Sequence, residues 1–412
     1  MTARLPDPAR SNFRHGPFAL FWSARVLSTM AFQLQGVAVG WQIYALTRST
    51  LALGLVGLAQ YLPMLALTLA VGHVADRYDR RRIVGLCQLT GALATAALAL
   101  GSFGAWLTPP AIFAAVAVIG AARAFEMPSM HALLPGLVPA ALFPRATAVS
   151  ASAVQTATII GPAVGGLLYA LGPTAPYALA ALLYGLACLS SNLIRMEHTP
   201  PRREKVSLAS LLSGFVFIRR NPAILGSISL DLFAVLLGGA TALLPVFARD
   251  ILHTGPWGLG LLRSSPALGA LGMSVLLAHR PLGAGVGRKM FAAVIAFGLA
   301  TIVFALSRWL WLSMLALLVL GAADVVSVVV RSSLVQLGTP DEMRGRVSAV
   351  NALFIGTSNQ LGEFESGVTA ALFGTVPAVI LGGAGTILVA LLWMRLFPAL
   401  ARADRLDGLK KG

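Results

Sequence analysis

The stretch GHVADRYDRRR at positions 72–82 lies between two long apolar runs, near 50–75 and 83–104. A run of about 20 apolar residues is long enough to cross a bilayer as a helix. Because a bilayer offers no water to backbone N–H and C=O groups, a helix is the state expected for each run. The stretch is therefore predicted to be a short charged loop that joins two membrane-spanning helices.

The alternation of apolar runs and short polar segments continues along the chain. Hydrophobic residues make up 57% of the sequence and charged residues only 11%, with a mean hydropathy of +0.81. A soluble domain carries about 25% charged residues, so this chain lacks the polar surface to cover itself in water. Twelve spans are predicted, near residues 18–46, 50–75, 83–104, 109–134, 146–171, 174–195, 222–249, 256–279, 289–307, 309–337, 346–374 and 376–398.

A single long polar linker divides these spans into two sets. The sequence predicts an N-terminal six-helix bundle at 1–195, a cytoplasmic linker at 196–221, a C-terminal six-helix bundle at 222–398 and a cytoplasmic tail at 399–412. Within the linker, apolar residues recur at helical spacing, which predicts an amphipathic helix on the membrane surface. These residues are Leu208, Leu211, Leu212 and Phe215. The helix is interpreted as a tether between the bundles rather than as a regulatory element.

The formal net charge of +16 reflects membrane topology rather than nucleic-acid binding. Roughly 24 of the 31 Lys and Arg residues fall in loops on one side of the predicted membrane, and this bias marks the cytoplasmic side. Both termini are therefore expected in the cytoplasm, in a multi-pass protein of the bacterial inner membrane. Cys87 and Cys188 fall within predicted spans and do not have metal-ligand spacing.

The two halves are related in sequence at an offset of 201 residues. The offset pairs Gly120 with Gly321, Pro139 with Pro340, Arg145 with Arg346, Gly161 with Gly362 and Gly166 with Gly367. Parallel repeats of this kind are a known transporter architecture. The fifth span is predicted to bend and pack through four residues, Gly161, Pro162, Gly165 and Gly166. The second half has Glu363 where the first has the bending Pro162.

The loop at 72–82 resembles the signature loop of the major facilitator superfamily in its Gly, its Asp-Arg pair, its basic run and its position between spans two and three. Asp79 stands where that superfamily usually has Gly. Residues 120–128, 161–166 and 229–231 resemble the exporter branch that includes the enterobactin exporter and secretion-effector-type proteins. The resemblance implies an all-α polytopic fold of twelve transmembrane helices in two six-helix bundles, and it implies export of a small molecule by alternating access.

The same resemblance implies a gating role for five residues of the loop, Gly72, Asp76, Arg77, Arg80 and Arg81. A glycine permits close helix packing in a membrane. The Asp76 carboxylate is expected to face the positive N-terminal end of the eleventh span, which closes the cytoplasmic side. The competing interpretation is that the arginines only fix the orientation of the chain in the membrane.

Five acidic residues fall inside predicted spans, namely Glu126, Asp231, Asp324, Glu363 and Glu365. A charge near the bilayer centre costs roughly 3 kcal/mol, so each is a candidate for function. Removal from water favours the protonated form of a carboxyl group, which suits reversible protonation during transport. We predict that Glu363, Asp231 or Asp324 carries a coupling proton. The alternative is that these acids cap broken helices or pair with Arg123 and Arg331.

Polar and aromatic residues predict a substrate cavity that includes Arg25, Gln35, Gln42, Tyr44 and Arg123. Amides and aromatic rings in a cavity suit a polar-aromatic solute. The alternatives are interhelical hydrogen bonds for the Gln residues and an ion pair between Arg123 and Glu126, which are spaced i, i+3.

The sequence does not show the motifs of other functional classes. Residues 283–289, GAGVGRK, lack the spacing of a phosphate-binding loop. The six His residues are scattered, so the sequence predicts neither an enzyme nor a metal site, and no cofactor is expected. The expected partners are a small-molecule substrate, protons and the lipid bilayer, with no nucleic acid and a monomeric state. A siderophore is the leading substrate, and the alternatives are a broad-specificity drug efflux pump, a lipid-type flippase and a non-transporting membrane sensor.

Overall fold

The computed structural model describes residues 16–195 and 208–402, apart from the side chains of 68–73, 75–77, 208–211 and 341. The predicted all-α membrane fold class is confirmed, since the described ranges are built of helices and contain no strand. The helices are α1 (Gly16–Thr47), α2 (Thr50–Arg77), α3 (Arg80–Phe103), α4 (Pro109–Leu133), α5 (Phe143–Ala170), α6 (Thr174–Leu193), α7 (Leu208–Arg220), α8 (Pro222–Leu237), α9 (Leu244–Val246), α10 (Pro256–His279), α11 (Val286–Leu306), α12 (Leu310–Leu337), α13 (Asp341–Phe373), α14 (Thr375–Leu396) and α15 (Pro398–Ala401).

Ten helical segments among the described residues are long and apolar enough to cross a membrane. They coincide with ten of the twelve predicted spans. The other two predicted spans, near 18–46 and 346–374, coincide with α1 and α13, which are longer and carry more polar residues. The count of twelve crossings therefore stays a prediction, while the polytopic character of the chain is established.

The chain divides into two compact units. Unit 1 comprises Met1–Gln42 and Ala59–Arg203, and unit 2 comprises Ile43–Leu58 and Glu204–Gly412. The segment Ile43–Leu58, which holds the end of α1 and the start of α2, thus groups with unit 2. The predicted domain limits at 195, 221 and 398 stay predictions.

Equivalent helices pack in equivalent ways within each unit. In unit 1, α3 packs against α4 and α6, and in unit 2, α11 packs against α12 and α14. The repeat-related glycines have matching surroundings as well. A Cβ atom on Gly120 of α4 would overlap the carbonyl oxygen of Gln60 on α2, and one on Gly321 of α12 would overlap the carbonyl oxygen of Pro266 on α10. The sequence repeat therefore corresponds to a repeated helix-packing arrangement.

We expect Gly120→Ala to destabilise unit 1 by about 1–3 kcal/mol, because the added methyl group forces α2 and α4 apart. Gly185 of α6 is the matched control, since a Cβ atom there meets nothing within 4 Å. Gly185→Ala is expected to stabilise the helix by roughly 0.5–1 kcal/mol. Thermal unfolding of the two purified variants in detergent measures both effects, and equal midpoints would contradict the packing assigned to Gly120.

The seventh predicted span is broken rather than continuous. The helix α8 ends at Leu237, and a 3₁₀ turn (Ala240–Leu243), the short α9 and a π-helical turn (Phe247–Ile251) follow it. Gly238 and Gly239 explain the break, because glycine is among the weakest helix formers. Pro245 also lacks the N–H group needed to continue the hydrogen-bond ladder. The predicted span near 222–249 is therefore present, but its helix is interrupted after Leu237.

The linker contains the helix α7, as the apolar spacing predicted. Its Ile218 side chain is fully buried in a cluster with Ile224 and Val347 of unit 2. Leu212 and Phe215 of the predicted apolar face are exposed on the protein, 63% and 44% respectively. The side chains of Leu208 and Leu211 lie outside the described residues. The location of this face on the membrane surface stays a prediction.

Candidate functional site

Asp79 begins the helix that follows the signature loop. Its side chain accepts a hydrogen bond from the backbone N–H of Arg81, 2.9 Å away, with extended backbone angles typical of an N-cap. The Arg81 guanidinium also forms an ion pair with the Asp79 carboxylate. An aspartate at this position therefore supplies a helix cap, which explains why the chain tolerates it where the superfamily usually has Gly.

The predicted loop at 72–82 is shorter in the structure, where only Tyr78 and Asp79 lie between α2 and α3. Arg80 and Arg81, in the first turn of α3, reach the ends of two other helices of unit 1. Arg80 Nη1 donates to the carbonyl oxygen of Ala132 at 3.2 Å, near the end of α4. Arg81 Nη1 donates to the carbonyl oxygen of Ile194 at 2.9 Å, at the end of α6. Helix C-terminal carbonyls lack partners within the helix, so these contacts satisfy them. The side chains of Gly72, Asp76 and Arg77 lie outside the described residues, and the gating role stays a prediction.

We expect Arg81→Ala to destabilise unit 1 by about 1.5–3 kcal/mol, because one change removes hydrogen bonds from a charged donor to both Asp79 and Ile194. The neighbouring Arg82 offers a matched control, since removing its charge leaves both contacts intact. Thermal unfolding of Arg81→Ala and Arg82→Ala compares them directly. An unchanged midpoint for Arg81→Ala would show that the arginine serves only orientation in the membrane.

A buried polar chain crosses unit 1 around Glu126. Gln88 Nε2 of α3 donates to Glu126 Oε1 of α4 at 3.1 Å, and Ser191 Oγ of α6 donates to Gln88 Oε1 at 2.8 Å. Arg123 Nη1 lies 3.9 Å from Glu126 Oε2. The Arg123 guanidinium carbon also lies 3.8 Å from the centre of the Phe32 ring on α1. These contacts connect four helices of unit 1, namely α1, α3, α4 and α6, and the Glu126 carboxylate is at their centre.

The predicted cavity residues are not all brought together. Arg25 Nη2 lies 3.1 Å from His131 Nε2, and Gln42 Nε2 donates to Ser102 Oγ at 3.2 Å, both within unit 1. Gln35 is buried, and its Oε1 has no hydrogen-bond partner among the described residues. Tyr44 belongs to unit 2, where its hydroxyl donates to Asp250 Oδ2. The side chain of Gln42 on α1 therefore forms an interhelical hydrogen bond to α3, which is the alternative role considered for this residue.

The small residues of α5 allow close helix packing. Gly161, Pro162, Gly165 and Gly166 are all buried. A Cβ atom on Gly161 would lie 2.6 Å from Gln33 Cβ, and one on Gly165 would lie 3.0 Å from the carbonyl oxygen of Leu34, so α5 packs directly on α1. Pro162 lies inside the helix, where it removes one backbone hydrogen bond.

Unit 2 contains a buried ion pair between Asp231 of α8 and Arg331 of α12. The side chains are 6% and 3% exposed, so both charges are nearly free of water. Asp324 lies on the same helix as Arg331 and lines a small cavity together with Asp231 and Ser327. Among the described residues Asp324 has neither an ion pair nor a hydrogen bond. The alternative pairing of Asp231 with Arg331 is thus present, whereas Asp324 is left with its charge uncompensated.

The two acids of α13 have different surroundings. A Cβ atom on Gly57 of α2 would lie 2.6 Å from Glu363 Oε2, so the carboxylate packs against the backbone of the segment Ile43–Leu58. Arg263 of α10 is the cation whose charge acts on Glu363. Glu365 instead accepts a hydrogen bond at 2.7 Å from Thr369 Oγ1, one turn along its own helix. The i, i+2 spacing therefore places the two carboxylates on different sides of α13.

Several residues of these clusters were missed by sequence reasoning. Gln88, Ser191 and Phe32 are neutral residues on other helices, and their distance in sequence from Glu126 gave no signal. Ser327 could have been found, because Asp324, Ser327 and Arg331 are spaced i, i+3 and i+7 on one helix face.

Comparison with known proteins identifies the family. A family model described as transmembrane secretion effector matches residues 8–408. The chain belongs to the transmembrane secretion effector family. Members of this family are transporters of the major facilitator superfamily, so the chain is a multi-pass membrane transporter of small molecules and not an enzyme.

Three further proteins are similar to this chain, one in sequence and two in fold. The chain is 27% identical over 393 residues to the enterobactin exporter EntS of Citrobacter koseri, an alignment that covers 94% of this chain and 93% of that protein. A POT family transporter has the same fold with a TM-score of 0.74 at 12% identity, over 93% of this chain and 96% of that one. A bacterial homologue of the lysosomal transporter Spinster gives a TM-score of 0.72 at 13% identity, over 96% and 98%.

Proposed function

We propose that the chain is a proton-driven exporter of a small amphiphilic molecule such as a siderophore, and that it works by alternating access in the bacterial inner membrane with both termini in the cytoplasm. Substrate and protons move in opposite directions, as in an antiporter. Similarity to the enterobactin exporter EntS along nearly the whole chain supports export and the siderophore class.

The contact between Glu363 and Gly57 is the observation that carries the proton-driven mechanism. A carboxylate in a membrane span is costly while charged, and Arg263 offsets part of that cost. Protonation removes the charge and therefore weakens the attraction to Arg263. Because the carboxylate packs on the backbone at Gly57, a change in its charge or position acts directly on the segment Ile43–Leu58.

The glycines beside this contact bring the segment Ile43–Leu58 and α13 close together. A Cβ atom on Gly367 of α13 would lie 2.8 Å from Gly54 Cα, so the start of α2 and the helix α13 meet backbone to backbone. Small residues at a membrane helix interface permit such close approach. The seam formed by Gly54, Gly57, Glu363 and Gly367 is thus held by close packing and by one carboxylate, and protonation of Glu363 changes how tightly it closes.

Secretion under iron limitation tests the proposed substrate. Cells that lack the protein are expected to retain siderophore and to release less into the medium, and the wild-type gene is expected to restore release. Mass spectrometry of the medium and of cell extracts measures both pools. Unchanged siderophore in both pools would contradict the siderophore assignment, and competition by unrelated dyes and drugs would favour a broad efflux pump instead.

A further inference from the structure

The small cavity in unit 2 has a composition that the transport of an organic substrate does not explain. Its polar lining comes from Asp231 of α8 and from Asp324 and Ser327 of α12, and its apolar wall includes Val294 and Phe297 of α11. We name this space the α8–α12 pocket. We propose that the α8–α12 pocket binds one monovalent metal cation, with sodium as the probe ion, through the Asp324 carboxylate, the Ser327 hydroxyl and the free oxygen of Asp231.

The size of the pocket excludes an organic ligand. Its volume is about 10 Å³, which is about the least that holds one water molecule. A siderophore, a drug or a lipid headgroup cannot enter such a space. The possible occupants are therefore a single ion or a single water molecule.

Charge distinguishes between these occupants. The Asp231 carboxylate is neutralised by Arg331, so the pocket retains one negative charge, that of Asp324. One negative charge in the pocket is matched by a monovalent cation, whereas a divalent ion is usually held by several carboxylates. An anion is excluded by the two carboxylates. The α8 helix also ends at Leu237, within two turns of Asp231, and the C-terminal end of a helix adds partial negative charge.

Ser327 provides the second, independent observation. Its side chain is only 4% exposed, and its hydroxyl has no hydrogen-bond partner among the described residues. A buried hydroxyl without a partner costs free energy, so an occupant of the pocket that contacts this hydroxyl is expected. Carboxylate and hydroxyl oxygens are the ligand types that hard metal cations prefer. A proton alone would reside on a carboxyl group and would not need the hydroxyl.

The broken seventh span agrees with this assignment. In transporters, discontinuous helices place their C-terminal ends and unwound backbone beside coupling ions. Here the break at Gly238 and Gly239 follows directly after the pocket-lining turn of α8. The inference goes beyond the proposed function, in which protons drive transport through Glu363, because it assigns a bound ion and no second driving gradient. The presence of the ion does not depend on any substrate.

Direct sodium binding to the purified full-length protein tests the inference. Sodium chloride is titrated against choline chloride at constant ionic strength, with isothermal calorimetry and the thermal unfolding midpoint as readouts. The wild type is expected to bind one sodium ion and to unfold at a higher temperature in sodium. Asp324→Asn is expected to weaken sodium binding at least about 100-fold and Ser327→Ala about tenfold, since each factor of ten corresponds to one lost interaction of ordinary strength.

Two control variants separate the site from general damage. Ser332→Ala removes a hydroxyl from α12 outside the pocket, and Glu342→Gln removes an exposed acid of α13. Both are expected to bind sodium like the wild type. A wild type that does not respond to sodium would overturn the inference and would assign water or a proton to the pocket. Sodium binding that survives in Asp324→Asn would also overturn it. Either failure leaves the export experiment unaffected, so the two proposals are tested separately.

Discussion

Replacing Glu363 by Gln is expected to abolish the proton movement that accompanies substrate transport. Gln has the shape of a protonated Glu, but it cannot take up or release a proton. The contact between residue 363 and Gly57 then stays as it is when the Glu363 carboxyl group is protonated. We expect substrate-driven proton flux in proteoliposomes to fall at least about 100-fold, while exchange of labelled substrate for unlabelled substrate continues, since exchange needs no net change of protonation.

Two further acids of α13 test this assignment to Glu363. Glu365→Gln, two residues away, is expected to keep proton flux, because Glu365 hydrogen-bonds to Thr369 on its own helix. Glu342→Gln removes an exposed acid from the first turn of the same helix and is the matched control. Proton flux that persists in Glu363→Gln but disappears in Glu365→Gln would move the coupling site to the other carboxylate.

The buried ion pair gives the second large expected effect. Arg331→Met is expected to destabilise unit 2 by about 3–5 kcal/mol, because it leaves the Asp231 carboxylate buried without its partner. Asp324 lines the same pocket, so the loss of Arg331 also leaves two negative charges facing one small space. Thermal unfolding and the yield of monodisperse protein on size-exclusion chromatography measure the loss.

A second substitution shows whether the unpaired charge is the cause. Asp231→Asn combined with Arg331→Met removes both charges, and we expect this double variant to recover most of the lost stability. Arg280→Met, at an exposed arginine that follows α10, is the matched control and is expected to leave the unfolding midpoint nearly unchanged. A double variant as unstable as Arg331→Met alone would show that the arginine acts through packing rather than through its charge.

Much of the fold was predictable because each apolar run must form its own helix in a membrane. The predicted limits of the span near 256–279 coincide with α10, and those near 109–134 extend one residue beyond α4. The interior of the seventh span was not predicted. Its apolar composition masked the effect of Gly238 and Gly239, because length and hydropathy do not report where a helix unwinds.

The candidate sites were predictable only in part. Charged residues within apolar runs were identifiable because burial makes them costly, and this signal found Asp231, Asp324 and Glu363. Their partners depend on which helices adjoin in space. The sequence therefore left open whether Asp231 pairs with Arg331, and it gave no indication that Gly57 adjoins Glu363.

The central claim is that substrate and protons are exchanged across the membrane by this one chain. Purified protein in proteoliposomes with a pH-sensitive dye inside tests it most directly. A gradient of a catecholate siderophore is expected to drive protons in the opposite direction in the wild type, and Glu363→Gln is expected to lose this flux. Siderophore that moves down its gradient without any change in internal pH would contradict the account.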